Sequence, residues 1–140
     1  MSKKTVLFLC TGNSCRSQMA EGWLRHLGGD RFEALSAGTR PQDLNPLAVA
    51  VMAEVGVDIS GQRSKPVDEY LEQDIDLLVT VCGGAKESCP AFLGRVGKRT
   101  HWPLADPAEA TGTRAQVLGV FRRVRDGLRL KIEDLVSEGG

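Results

Sequence analysis

The run Cys10-Thr11-Gly12-Asn13-Ser14-Cys15-Arg16-Ser17 sets a cysteine and an arginine at the two ends of a short polar loop, with a hydroxyl residue just after. Each part suits chemistry on a tetrahedral oxyanion. A tight turn feeding a helix aims successive backbone N–H groups at one point, a cradle that favours negative charge. Gly12 and Asn13 are the residues expected to take the unusual backbone angles of such a turn. Arg16 can grip two oxyanion oxygens at once, which a lysine does less well. The same positive surroundings favour a thiolate at Cys10, and the thiolate is the nucleophilic form. Ser17 has two open roles, hydroxyl donor to the sulfur or cap of the helix.

Three further cysteines are Cys15, Cys82 and Cys89. In a reducing compartment such a set is catalytic, redox-active or metal-binding sooner than a disulfide framework. Zinc would leave Arg16 beside the metal without a purpose, and the Cys82 to Cys89 spacing is wider than structural zinc sites use. Cys15, inside the loop, is expected to pack. His26 and His101 lack a paired ligand spacing, so no metal site is expected.

Elements must bring these groups together. Thr5 to Cys10 is a short apolar run ending in the turn, and reads as a buried strand. Met19, Trp23, Leu24 and Leu27 recur at helical spacing, with Gly28-Gly29 as a stop. Phe32 to Ala37 reads as a second strand, and Leu47, Val51, Met52 and Val55 as a helix stopped by Gly56. A short helix is expected around Val67 to Leu71. Ile75 to Val81 is the clearest buried strand, and Lys98 to Trp102 a weaker one. Val117, Phe121, Val124, Leu128, Ile132 and Leu135 mark a long amphipathic helix. Arg122, Arg123, Arg125, Arg129 and Lys131, interspersed with Asp126, Glu133 and Asp134, read as its solvated face. Strands alternating with helices predict an α/β domain with a parallel sheet. Such sheets bind ligands beyond the carboxyl ends of their strands, and Cys10 and Cys82 both stand at such ends.

The 140 residues suffice for one domain, residues 1–140, and are 41% hydrophobic and 26% charged with zero formal net charge. That balance points to neither nucleic acid nor a membrane surface. Met1-Ser2-Lys3-Lys4 and the apolar run after it imitate a signal peptide, but Thr5 to Leu9 is too short for one. A cytoplasmic monomer is the expectation.

Cys10 to Ser17, continued through Gln18-Met19-Ala20-Glu21-Gly22-Trp23, resembles the phosphate-binding loop of low-molecular-weight protein tyrosine phosphatases, and most closely that of the arsenate reductases sharing their fold. The resemblance extends through Ser36-Ala37-Gly38, Asn45-Pro46 and Asp58-Ile59-Ser60 to the last helix. It implies a three-layer domain with a four-stranded parallel sheet in flavodoxin-like winding. It also implies that Asp106, in Trp102-Pro103-Leu104-Ala105-Asp106-Pro107, handles a proton as general acid or base, although Asp before Pro is also a common turn residue. Reducing arsenate to arsenite takes two electrons, and the resemblance implies a relay supplying them. Cys10 attacks arsenate, Cys82 attacks Cys10, and Cys89 attacks Cys82, leaving a Cys82–Cys89 disulfide for thioredoxin, with glutaredoxin an open alternative donor. Phosphate and sulfate are the expected competing anions.

Two departures separate the chain from the phosphatases: Ala108-Glu109-Ala110 stands where they carry aromatic residues, and the only tyrosine is Tyr70. A phosphatase is the alternative reading, tested by activity that survives loss of Cys82 and Cys89; a cysteine-based metal-binding module is the other. Some reductases hold potassium near the loop through an Asn, a Glu, a Ser and an Asp. Asn13, Glu21 and Ser36 match, but Lys65 replaces the aspartate, so potassium is not expected and the Lys65 ammonium is expected to stand in for it. Gln62 stands where some members have a histidine.

Overall fold

The computed structural model describes residues 3–81 and 94–139. Strand β1 (Lys4–Cys10) is buried along all but its first residue, as a central parallel strand with both faces covered must be. It pairs in parallel with β2 (Phe32–Gly38) on one side and β3 (Ile75–Thr80) on the other, and β4 (Val96–His101) adds to β3. The order β2-β1-β3-β4 is that of a flavodoxin-like winding. Register aligns the carboxyl ends: Cys10 faces Gly38, Leu9 faces Thr80, and Thr80 faces His101. Beyond the pairing, Val81 N–H donates to Leu9 O at 3.0 Å, so Val81 stands on the rim beside Cys10. Cys82 and Cys89 lie outside the described residues.

Helix α1 (Arg16–Gly28) starts directly after the cysteine loop and buries Met19, Ala20, Trp23 and Leu24. Gly29 follows in right-handed helical conformation (φ −62°), so α1 ends without the left-handed cap expected of a terminal glycine. Helix α2 (Pro46–Ala53) is capped by Asn45, whose side chain accepts from Leu47 N at 2.8 Å. It stops before Val55, through a turn in which Gly56 takes φ 80°. Val67–Tyr70 forms a 3-10 turn rather than an α-helix. Helix α3 (Arg114–Glu138) packs across α1 and α2, burying Phe121, Val124, Leu128, Ile132 and Leu135.

One member of the expected solvated face of α3 belongs to the interior. Arg125 is buried and donates to Val51 O at 2.9 Å and to Glu54 at 2.8 Å, with Asp126 on its other edge. Arg122 joins Glu54 from outside at 2.8 Å. The two guanidiniums hold the Glu54 carboxyl down at about 2, and the cluster ties α3 to the end of α2. Burial of Arg125 follows from its helical position, one residue after Val124 and one turn after Phe121, on the face that α2 covers.

Candidate active site

Residues 10–14 turn their carbonyl groups away from the centre of the loop. Cys10 O, Thr11 O, Gly12 O and Ser14 O accept from the N–H groups of Thr39, Arg40, Gln42 and Asn45, at 2.8–3.2 Å. Asn13 O accepts from Gln18 Nε2 at 3.0 Å and from Ser64 Oγ at 2.7 Å. With its carbonyls engaged outward, the loop presents N–H groups inward, which an anion requires. The expectation that both Gly12 and Asn13 take unusual angles is half right. Asn13 lies in the left-handed region (φ 49°), and Gly12 does not. The glycine the loop depends on is Gly38: a Cβ there would stand 2.6 Å from Thr11 O and 3.0 Å from Asn13 N.

Cys10 Sγ is buried at the floor and receives Asn13 N–H at 3.1 Å. Ser17 Oγ lies 2.9 Å from it. Because Asn13 Nδ2 donates to Ser17 Oγ at 2.8 Å, the serine hydroxyl proton is free to point at a Cys10 thiolate. Ser17 thus lies against the sulfur and is not the helix cap. The cap position belongs to Cys15, whose side chain makes no capping bond. Burial pushes the Cys15 thiol up to about 11, the chief cause being loss of solvent, so it stays protonated at neutral pH and fits the packing role.

Arg16 is aimed from three sides. Its guanidinium donates to Leu104 O at 2.9 Å and to Val81 O at 3.5 Å, and stands 3.5 Å from Asp106 Oδ2. The other Asp106 oxygen accepts from Ala108 N at 3.0 Å, capping the short turn Pro107–Glu109. Asp106 therefore fills the turn role and also faces the loop. Together Cys10, Thr11, Gly12, Ser14, Cys15, Arg16 and Asp106 line a cavity of about 420 Å³, with Gln42, Ala108 and Glu109 at its wall.

A buried polar chain braces the loop from behind. Asn13 Oδ1 accepts from Lys65 N at 2.8 Å and Gln18 Nε2 at 3.1 Å. Gln18 in turn donates to Arg63 O at 2.8 Å and accepts from Gln62 Nε2 at 2.7 Å. Lys65 Nζ donates to Arg63 O at 2.7 Å and lies 3.6 Å from Glu21 Oε1, which also accepts from Ser36 Oγ at 2.5 Å. Burial pulls Lys65 below the usual lysine range, and Glu21 opposes the fall. The side-chain oxygens of Asn13 and Glu21 thus already hold N–H and O–H donors, and an ammonium stands beside Glu21. Lys65 reaches Asn13 through its main chain, while its side-chain charge goes to Glu21.

Gln18, Ser64 and Gln42 escaped the sequence reading. Gln18 lies with Glu21, Gly22 and Arg25 on the side of α1 away from the Met19, Trp23, Leu24 and Leu27 stripe, so the pattern gave no signal for it; the other two come from loops that only folding delivers. Among the described residues, no group of His, Cys, Asp or Glu could hold a metal ion.

The model for low molecular weight phosphotyrosine protein phosphatases matches residues 5–138. An arsenate reductase of Halalkalibacterium halodurans is 48% identical over 139 residues, covering 99% of each chain. The solved structure of an arsenate reductase in the phosphate binding state superposes with a TM-score of 0.83 at 36% identity, over 98% of this chain and 99% of that one. A thioredoxin-dependent arsenate reductase of Corynebacterium glutamicum gives a TM-score of 0.72 at 27% identity, over 98% of this chain and 62% of that one. With a cysteine loop, an aligned sheet rim and full-length relatives of this kind, the chain belongs to the low-molecular-weight phosphotyrosine protein phosphatase family, on the side of its arsenate reductases.

Proposed function

We propose that the chain reduces arsenate to arsenite, with Cys10 as nucleophile and thioredoxin as the electron source. The observation that carries this is the floor of the cavity. A buried sulfur receives Asn13 N–H and faces Ser17 O–H, with Arg16 and Asp106 across from it. Arsenate enters against the inward N–H groups and Arg16. The Cys10 thiolate bonds to arsenic and an oxygen leaves as water, with Asp106 handling its proton. Cys82 thiolate then attacks Cys10 Sγ. The sulfur–arsenic bond breaks, its electron pair stays on arsenic, and arsenite departs as a Cys10–Cys82 disulfide forms. Cys89 attacks Cys82, releasing Cys10, and thioredoxin reduces the Cys82–Cys89 disulfide. The placement of Val81 beside Leu9 supports the second step, because Cys82 is its direct neighbour in the chain.

Behind the loop, Lys65 serves as the resident positive charge, balancing Glu21 and through its main chain fixing Asn13. Glu21, Ser36 and Lys65 are positioning residues in this scheme.

Arsenate-dependent oxidation of NADPH, with thioredoxin and its reductase, tests the reading on wild type and Cys89→Ser. Sustained turnover in wild type and a single stoichiometric round in the variant are expected. A variant that turns over like wild type would remove Cys89 from the relay.

A further inference from the structure

Part of the cavity wall comes from outside the cysteine loop, and one piece of it carries charge. Glu109 ends the short turn that Asp106 caps, its N–H donating to Asp106 O at 3.1 Å, and both line the cavity. Among the described residues no cation pairs with the Glu109 carboxylate. An anion entering the cavity therefore meets the Cys10 sulfur at the floor, Asp106 beside Arg16, and Glu109 at the wall, with Arg16 the one guanidinium lining it among the described residues. Among the described residues no aromatic ring lines the cavity.

We infer that Glu109 is a specificity-determining residue that selects oxyanions by charge, disfavouring dianionic phosphate monoesters relative to singly charged oxyanions. This rests on the cavity being the oxyanion site proposed above. The physical basis is Coulombic: a fixed negative charge at the mouth repels a dianion twice as strongly as a monoanion at the same distance. Phosphate monoesters carry close to two charges at neutral pH, so they bear the larger share of that repulsion. Glu109 is exposed and solvent screens it, so the effect is moderate and falls with ionic strength.

The test uses Glu109→Gln and Glu109→Lys, with inorganic phosphate as calorimetric probe of the reduced protein and 4-nitrophenyl phosphate as monoester. At low salt, phosphate is expected to bind about threefold more tightly to Glu109→Gln and about tenfold more tightly to Glu109→Lys. The gain is expected to be larger at about pH 8 than at about pH 6, where phosphate is mostly singly charged. KM for the monoester falls in the same order, and high salt erases the differences. Phosphate affinity that ignores the charge at residue 109, or a lowered kcat at constant anion affinity, would overturn the inference while leaving the proposed reduction standing. Absence of phosphate binding from wild type and from both variants would overturn the inference together with the oxyanion reading of the cavity.

Discussion

Lys65 carries a charge into a place where a free ion would have to be captured and desolvated. Its ammonium reaches Glu21 and Arg63 O, and its main chain reaches Asn13, so charge balance and loop geometry come from one residue. A tethered charge is present at any salt composition. Arsenate turnover is therefore expected to be equal in potassium and sodium chloride at matched ionic strength, and a potassium-specific rise would sink this role. Lys65→Met should cost about 1–3 kcal/mol in urea unfolding, since Arg25 and Ser36 still hold the buried Glu21. Much at this scale was legible because Cys10 to Ser17 is contiguous and its chemistry is written in adjacent letters. Gly12 was misjudged for the same reason: adjacency suggested the strained position, whereas the tight approach occurs at Gly38, on the neighbouring strand.

Helix α3 carries no reacting group and holds the fold together by packing across α1 and α2. Thr113 Oγ1 accepts from Gln116 N at 3.1 Å while Gln116 Oε1 accepts from Thr113 N at 2.9 Å, a reciprocal cap at its start. Thr113→Ala should lower stability by about 1 kcal/mol, seen as a shifted urea midpoint, with KM for arsenate unchanged. Elements were readable where one physical cause dominated. β1 and β3 are dominated by apolar residues because both faces are covered, with Asp76 the exposed exception in β3, and α3 has an unbroken 3.6-residue stripe. β4 was faint because it is an edge strand, with Gly97, Lys98 and Arg99 exposed. α2 ends sooner than its apolar pattern, because Val55 turns back toward the core through Gly56.

At the scale of the molecule, the sheet order brings segments remote in sequence to one rim. Parallel pairing and strand-end cysteines made that rim predictable, since crossovers return each strand in the same direction. The braces were not predictable, because Gln18, Gln62, Ser64 and Gln42 are ordinary polar residues until tertiary structure places them behind or beside the loop. Of the braces, the row formed by Thr39, Arg40, Gln42 and Asn45 on the carbonyls of residues 10–14 extends strand-like pairing past the ends of β1 and β2. Its amide protons are locked by the loop itself. In deuterated water Arg40, Gln42 and Asn45 should exchange as slowly as core strand amides, although Arg40 and Gln42 lie in an exposed segment and Asn45 just after it. Fast exchange there, with the β1 amides still protected, would mean that the cradle opens alone and must be rebuilt for each anion. Slow exchange would mean that it arrives already formed, so binding carries little ordering cost.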